Sequence, residues 1–325
     1  MLDQQTSALL HAHARLISDW AAREPNAGIV ESRAFAAEIF AGFAGTERDE
    51  IECDVTALVV QGGGGLRPAR LYRPRDTQGL TPVIAFFHGG GWAIGDLDSY
   101  DGLLRSLCAL SGASFVSVDY RLAPEHPFPA GLDDTIAATH WVAEHAYKFG
   151  ADASRLAVMG DSAGGNLAAV VAQLARRGGP AIAAQYLIYP MTDISTPHSS
   201  FPSRGAYGDG NYFLTRDAID ATAMWYLSNN GAAADPRVSP LLDPDLTGLP
   251  RAMIVVAGHD PLRDEACAYA DRLRAAGVDV IYRNFDTTIH GFVSFGILDA
   301  AQTARREIAD SIRRTLGSGS RSTGT

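Results

Sequence analysis

Cysteine and long apolar runs are scarce in this chain of 325 residues. The three cysteines, Cys53, Cys108 and Cys267, are far apart and odd in number, so they outline neither a disulfide framework nor a Cys-x-x-Cys metal site. A reducing, cytoplasmic location is therefore expected. No run of about 18 apolar residues occurs, so no transmembrane helix is predicted. The first residues carry charges at Asp3 and Arg15, which is not typical of a signal peptide.

Positively charged residues are also few compared with negatively charged ones. Lysine and arginine together number 27 against 37 aspartates and glutamates, which gives a formal net charge of −10, and Lys148 is the only lysine. An acidic chain without a basic stripe disfavours nucleic acids and anionic membranes as partners. Hydrophobic residues make up 46% and charged residues 20%, which is typical of an ordered globular protein. The length allows two domains or one large α/β domain, and we predict a single domain over 1–325.

Short apolar runs alternate with helical patterns along most of the chain. The predicted strands are 54–60, 69–73, 83–87, 114–119, 155–159, 185–189, 252–257 and 278–285. The predicted helices after the first strands are 97–111, 131–147, 163–177, 262–276 and 298–315. This alternation indicates a mostly parallel sheet with helices on both faces. The glycines at 62–65 predict a hairpin between the first two strands.

Two segments fall outside this pattern. The first fifty residues read as helical. The stretch 190–250 is rich in proline and glycine and has one clear helix, near 215–229, with Thr215 as its N-cap. An insertion of this size between two core strands favours a cap over a site. We therefore predict a cap formed by about 1–50 and about 190–245. The Gly-, Ser- and Thr-rich tail 317–325 is predicted to be disordered.

The strongest chemical signal is Gly160-Asp161-Ser162-Ala163-Gly164. It matches the G-x-S-x-G motif and lies between an apolar strand and a predicted helix, where the serine is forced into a strained and exposed turn. Side chains in place of the glycines would clash with the neighbouring strand and helix. The helix N-terminus would direct amide donors at negative charge beside the serine. The alternative is a tight turn with an incidental serine.

A second motif, His88-Gly89-Gly90-Gly91-Trp92, directly follows the predicted strand 83–87. Acyl transfer creates an oxyanion that backbone N–H groups must stabilise, and consecutive glycines let the main chain approach the substrate closely. A phosphate-binding loop fits poorly, because isoleucine occupies position 94 where that motif requires glycine. The His88 ring is expected to serve as a structural hydrogen-bonding group.

A serine nucleophile needs a base, and the base needs an orienting acid. In folds with this turn the order along the chain is Ser, Asp or Glu, then His. Asp260 closely follows the predicted strand 252–257, and His290 follows the last predicted strand. We therefore predict Ser162, Asp260 and His290 as nucleophile, acid and base.

Other acids and bases near these positions are weaker candidates. Asp264 and Glu265 are expected inside the helix that follows Asp260. Asp286 is expected too close behind the last strand, and His259 is expected to point away from Asp260.

Five motifs in order resemble the hormone-sensitive-lipase-like family of bacterial esterases, in its GDSAGG branch. They are His88–Trp92, Asp119–Ala130, Gly160–Asn166, Asp260–Glu265 and His290–Phe292. The resemblance covers about 55–312. It implies an α/β-hydrolase fold, with a mostly parallel eight-stranded sheet flanked by helices and covered by a helical cap.

The resemblance also implies roles for particular residues. The triad would be Ser162, Asp260 and His290, and the oxyanion hole would consist of the amides of Gly90, Gly91 and Ala163. Supporting motif positions are His88, Gly89, Gly160, Asp161 and Gly164. The chain departs from the family three residues before the histidine, where Thr287 replaces the usual glycine.

The predicted function is a serine carboxylesterase that acts on small-molecule esters with short to medium acyl chains through an acyl-enzyme. The aromatic residues that could line the pocket, or equally pack in the core, are Trp92, Tyr207, Phe213, Trp225 and Tyr226. No metal or organic cofactor is implied. The family resemblance makes a homodimer plausible.

Two other functions remain open. An amidase or peptidase could use the same core, although the glycine-rich motif resembles that of esterases. A non-catalytic ligand receptor on this scaffold would be expected to lack the base, whereas His290 is present. Arg121 is expected to form a structural ion pair, with Glu125 as the candidate partner.

Overall fold

The computed structural model describes residues 1–45, 53–75, 77–228 and 231–317. Residues 318–325 of the predicted tail, 46–50 of the predicted cap and the end of the helix predicted at 215–229 lie outside the described residues. Among the helices of these ranges, none combines the length and apolarity that a membrane span requires.

The order of elements along the chain follows the predicted alternation. The helices are α1 Gln4–Arg23, α2 Ile29–Phe43, α3 Asp101–Ser111, α4 Ala130–His145, α5 Ala163–Ala175, α6 Pro202–Tyr207, α7 Arg216–Leu227, α8 Arg263–Ala275 and α9 Asp299–Leu316. The strands are β1 Cys53–Gly62, β2 Gly65–Pro74, β3 Thr81–Phe87, β4 Ser114–Val118, β5 Ala151–Asp161, β6 Ala184–Ile188, β7 Arg251–His259 and β8 Val280–Ile289.

The eight strands found in the described ranges form one sheet in the order β1-β2-β4-β3-β5-β6-β7-β8. β1 and β2 are antiparallel and form the predicted hairpin, in which Gly62 pairs with Gly65. β2 is antiparallel to β4, and the strands from β3 to β8 run parallel. The predicted α/β class and mostly parallel sheet are confirmed.

Both faces of the sheet are buried. In β3 the side chains of Val83, Ala85 and Phe87 pack into one hydrophobic cluster, while Ile84 and Phe86 pack into another. Helices α4, α5 and α8 contribute to the first cluster, and α3 and α9 contribute to the second. A strand covered on both faces is a continuous apolar run in the sequence, which is why β3 could be predicted as a strand.

The insertion between β6 and β7 contains more structure than predicted. Thr215 is the N-cap of α7, as predicted, and its hydroxyl accepts the N–H of Ala218 at 3.0 Å. Helix α6, which has six residues and begins at Pro202, was not predicted from the sequence. A helix of this length shows less than two turns of periodicity, so its pattern cannot be separated from a loop.

The predicted position of Asp286, just behind the last strand, is wrong. β8 extends to Ile289, so Asp286 lies inside the strand. Most side chains of β8 up to Thr287 are only partly buried or exposed, because the strand lies at the edge of the sheet. The polar residues after Phe285 therefore looked like a loop in the sequence, while β8 continues up to the residue before His290.

Glu125 as the predicted ion-pair partner of Arg121 is also wrong. Arg121 pairs with Asp134, whereas Glu125 pairs with Arg33 of α2. The Asp134 carboxylate is fully buried and accepts hydrogen bonds from the Arg121 N–H, Nε and Nη2 and from the Gly64 N–H. One acid thus joins the hairpin, the loop after β4 and α4.

We predict that Asp134→Ala lowers the free energy of unfolding by about 3 kcal/mol, because it removes the buried partner of a charged group. The measurement is urea denaturation followed by circular dichroism. Asp133→Ala, at the exposed neighbouring position, is the matched control. Equal stability of the two variants would contradict this account of the ion pair.

Candidate active site

Ser162 occupies the turn between β5 and α5. Its φ is 53° and its ψ is −119°, a left-handed conformation that a non-glycine residue adopts only at a cost. Its N–H donates to the Ile188 carbonyl at 2.8 Å, so the strained turn is fixed to the neighbouring strand β6. Ser162 is 8% exposed, at the carboxyl ends of the parallel strands.

The two glycines of the motif are required by close packing. A Cβ atom at Gly160 would overlap the carbonyl of Gly164, and one at Gly164 would overlap the carbonyl of Phe87. The turn therefore sits directly against the end of β3. This agrees with the prediction that side chains at these positions would clash.

The predicted base and acid lie next to the serine. His290 Nε2 is 3.0 Å from Ser162 Oγ, and His290 Nδ1 is 2.8 Å from Asp260 Oδ2. His290 is 6% exposed and Asp260 is fully buried. The other carboxylate oxygen of Asp260 accepts the N–H of Leu262 at 2.8 Å. The loops after β5, β7 and β8 thus bring together three residues that are far apart in the sequence.

The glycine-rich loop after β3 approaches the same turn. Gly90 and Gly91 have φ values of 107° and 59°, which favour glycine. Among the described residues, no acceptor is found for the N–H groups of these two glycines. Ala163 is the first residue of α5, where an N–H has no partner within the helix. All three predicted oxyanion donors therefore have an N–H that is not used by the fold.

Asp161 connects the serine turn to this loop. One carboxylate oxygen accepts the N–H of Gly89 at 2.8 Å, and the other accepts the hydroxyl of Tyr100 at 3.0 Å. Burial raises the pKa of Asp161 to about 6, although these two donors favour the carboxylate. The sequence placed Asp161 in the motif but gave no sign of Tyr100 as its partner, because that contact forms only when the residue before α3 packs on Phe86, near the end of β3.

His88 has the structural role that the sequence predicted. Its ring is fully buried and stacks on Tyr120 at 4.4 Å between ring centroids. Nδ1 forms a hydrogen bond with the Gly89 carbonyl at 2.8 Å, and burial lowers the pKa of His88. A neutral ring in this position supports the glycine-rich loop.

The predicted pocket aromatics lie in different places. Trp92 is buried and stacks on Tyr226 of α7, with 4.2 Å between ring centroids. Tyr207 packs on His259 and under the guanidinium of Arg263. Trp225 is half-buried on α7.

Phe213 is the one predicted pocket aromatic next to the base. It lies about 3.4 Å from the position that a Cβ on Gly291 would occupy, and Gly291 directly follows His290. The ring of His13 on α1 packs against it at 4.5 Å.

Comparison with known proteins gives the family. A family model described as an alpha/beta hydrolase fold matches residues 84–294. Carboxylic ester hydrolase LipN of Mycobacterium tuberculosis is 46% identical over 296 residues, which cover 89% of this chain and 77% of LipN. The chain belongs to the alpha/beta-hydrolase family, in its hormone-sensitive-lipase-like branch.

Other relatives of this α/β-hydrolase are also named as esterases. Carboxylesterase NlhH of M. tuberculosis is 46% identical over 257 residues, which cover 77% of this chain and 78% of NlhH. The solved structure of an esterase from Pyrobaculum calidifontis is 37% identical, with a TM-score of 0.88 over 97% of this chain and 99% of that one. No group of three or more His, Cys, Asp or Glu side chains suited to a metal ion occurs among the described residues of the hydrolase.

The raised pKa of Asp161 gives a pH-dependent prediction. An aspartate in the unfolded chain has a pKa of about 3.8, whereas burial in the folded α/β-hydrolase raises the pKa of Asp161 to about 6. Between these values the folded state holds more protons than the unfolded state, so this residue's contribution to stability falls as the pH rises.

We therefore expect the unfolding free energy of the wild type, relative to Asp161→Asn, to fall by up to about 3 kcal/mol between about pH 4 and 6. Urea denaturation across this range measures it, with Asp271→Asn as an exposed-carboxylate control. A difference that stays constant over this range would contradict the assignment.

Proposed function

We propose that this protein is a serine carboxylesterase that hydrolyses short- to medium-chain esters through an acyl-enzyme on Ser162. In this proposal Asp260 and His290 complete the triad, and the amides of Gly90, Gly91 and Ala163 form the oxyanion hole. At the level of reaction class, the prediction of a carboxylic ester hydrolase is confirmed by the relatives named as ester hydrolases.

The observation that carries the proposal is the chain of hydrogen bonds from serine to acid. The distances of 3.0 Å from Ser162 Oγ to His290 Nε2 and 2.8 Å from Nδ1 to Asp260 Oδ2 are those of a nucleophile, its base and an orienting group. A purely structural serine would have no need of a strained turn at the open end of the sheet.

In the acylation step, His290 Nε2 accepts the hydroxyl proton as Ser162 Oγ attacks the ester carbonyl carbon. The carbonyl π electrons move to oxygen, and the oxyanion is held by N–H donors of the glycine-rich loop and α5. Asp260 holds the Nδ1–H and stabilises the imidazolium. The intermediate collapses, the bond to the alkoxy oxygen breaks, and His290 returns the proton to the leaving alcohol.

Deacylation repeats these roles with water as the nucleophile. His290 Nε2 accepts a proton from water, and the resulting hydroxide attacks the acyl carbon of the ester on Ser162. The second oxyanion forms in the same hole. When it collapses, Ser162 Oγ leaves and recovers its proton from His290, and the carboxylic acid is released.

We also propose that the N-terminal helices and the insertion form a cap that limits the acyl chain. Thr222 of α7 packs against Gly91, at 2.5 Å from the position of a Cβ there, and Phe213 packs near Gly291. A cavity of about 530 Å³ lies between α1 and residues 210–215, with Phe213 in its wall. The contacts of Thr222 and Phe213 support this proposal, because both side chains come from outside the sheet and lie against glycines of the candidate site.

The two other functions make different predictions for experiment. An amidase or peptidase would turn over an aminoacyl p-nitroanilide, which an esterase would leave intact while it hydrolyses p-nitrophenyl butyrate. A receptor would bind esters without turnover, which the hydrogen-bonded base at His290 disfavours. Side-by-side rates on the two chromogenic substrates separate all three functions.

We predict that Ser162→Ala folds normally but loses esterase activity by several orders of magnitude, because no other group can form the acyl-enzyme. Hydrolysis of p-nitrophenyl butyrate measures the loss, and circular dichroism checks the fold. In the wild type, a stoichiometric phosphonate adduct should map to Ser162. An adduct at another serine would refute the proposed nucleophile.

We predict that the acyl-chain preference peaks at about four to eight carbons, because a cap encloses a pocket of finite size. Measuring kcat/KM for p-nitrophenyl esters from acetyl to palmitoyl tests this. Rates that keep rising to palmitoyl, with activation at an oil–water interface, would indicate a lipase instead.

A further inference from the structure

Helix α6 of the insertion is attached to the turn that follows Asp260. The hydroxyl of Ser203 donates to the Pro261 carbonyl at 2.8 Å and accepts the N–H of Asp264 at 3.2 Å. In return, the Ser203 N–H donates to Asp264 Oδ2 at 2.7 Å. Ser203 is fully buried. One residue from outside the sheet therefore holds both ends of the turn 261–264.

A buried ion pair fixes α6 in this position. Arg204, next to Ser203, donates through Nε to Glu265 Oε2 at 2.9 Å, and its Nη2 also bonds this oxygen. Arg204 is 1% exposed and Glu265 is fully buried. Separating a buried pair leaves an uncompensated charge in the protein interior, which is strongly unfavourable. Helix α6 is therefore held firmly against the start of α8.

The same carboxylate reaches the nucleophile side of the site. Glu265 Oε1 accepts the N–H groups of Thr192 at 2.7 Å and Asp193 at 3.2 Å. The preceding residue, Met191, donates its N–H to the Ser162 carbonyl at 3.2 Å. Glu265 thus joins the helix after the acid to the segment that supports the serine turn.

We propose that Ser203 is a positioning residue for Asp260. With α6 fixed by the ion pair, Ser203 sets the conformation of the turn 261–264. Through that turn it sets the direction in which the Asp260 carboxylate faces His290 Nδ1. Small displacements of a reacting group are costly, so loosening the turn slows the chemistry. The inference rests on the proposed function, because Asp260 matters to turnover only if His290 is the base.

The test is Ser203→Ala in the full-length protein, assayed with p-nitrophenyl acetate, butyrate and hexanoate. We expect kcat to fall about tenfold for all three esters with KM unchanged, the effect of losing a buried hydrogen-bonding group. The rate of inactivation by a phosphonate should fall by a similar factor, because it reports the reactivity of the nucleophile. Ser200→Ala, an exposed serine three residues earlier, is the matched control.

A second variant removes the other side of the contact. Asp264→Ala deletes the acceptor of the Ser203 N–H and should lower kcat in the same direction. The double variant should lose less than the product of the two single effects, because both act through one turn. If Ser203→Ala does not fold, Asp264→Ala carries the test alone.

Three results would overturn the inference: an unchanged kcat, a higher KM with normal kcat, or a loss confined to thermal stability. A higher KM would make Ser203 part of the pocket wall.

Ser162→Ala is assayed in parallel. If it is inactive while Ser203→Ala behaves as wild type, only the inference fails. If Ser162→Ala is active, the proposed function fails first.

Discussion

The strained turn at Ser162 is the constraint on which the rest of the site depends. A φ of 53° requires that the chain be held on both sides, and neighbouring backbone does this. Gly164 lies against the carbonyl of Phe87, at the end of β3, and β3 pairs in parallel with β5 so that Phe87 is opposite Gly160. The nucleophile turn and the glycine-rich loop are therefore brought together by one strand pairing.

Buried carboxylates link the loops around this turn, and each is satisfied by backbone N–H groups. Asp161 accepts from Gly89, Asp260 from Leu262, and Glu265 from Thr192. A buried carboxylate is costly unless its hydrogen-bonding capacity is filled. Because Asp161 and Glu265 accept from segments far away in the sequence, moving either segment would leave a buried acid without its donors. The polar groups therefore stabilise one arrangement of the loops.

Segments outside the sheet also contact the end of β8 and the residues beside the glycine-rich loop. Asp3, at the start of α1, accepts the hydroxyl of Thr287 at 3.1 Å and donates its N–H to the Thr287 carbonyl at 3.0 Å. Arg33 of α2 donates to the Ala93 carbonyl at 2.8 Å, next to the glycine-rich loop. Thr287, three residues before His290, thus gives α1 a point of attachment. The N-terminal helices therefore form hydrogen bonds to residues beside the candidate site.

The fold class and the residues of the proposed triad could be predicted from the sequence alone. Buried parallel strands such as β3 read as continuous apolar runs, and the motif around Ser162 combines glycines that only a tight strand-to-helix turn requires. These signals are local, so they are visible in one chain. Asp260 and His290 were also predicted, because their order along the chain and their positions after strands limit the choices.

Which side chains contact one another depends on the tertiary structure. Polar residues are part of β8 because this strand lies at the edge of the sheet. Glu125 pairs with Arg33 instead of Arg121, because α2 folds onto the loop after β4. The contact between Ser203 and the turn after Asp260 joins residues about sixty positions apart, through a helix too short to show a pattern. Such pairings depend on how separate elements pack in space, and local sequence carries no signal for them.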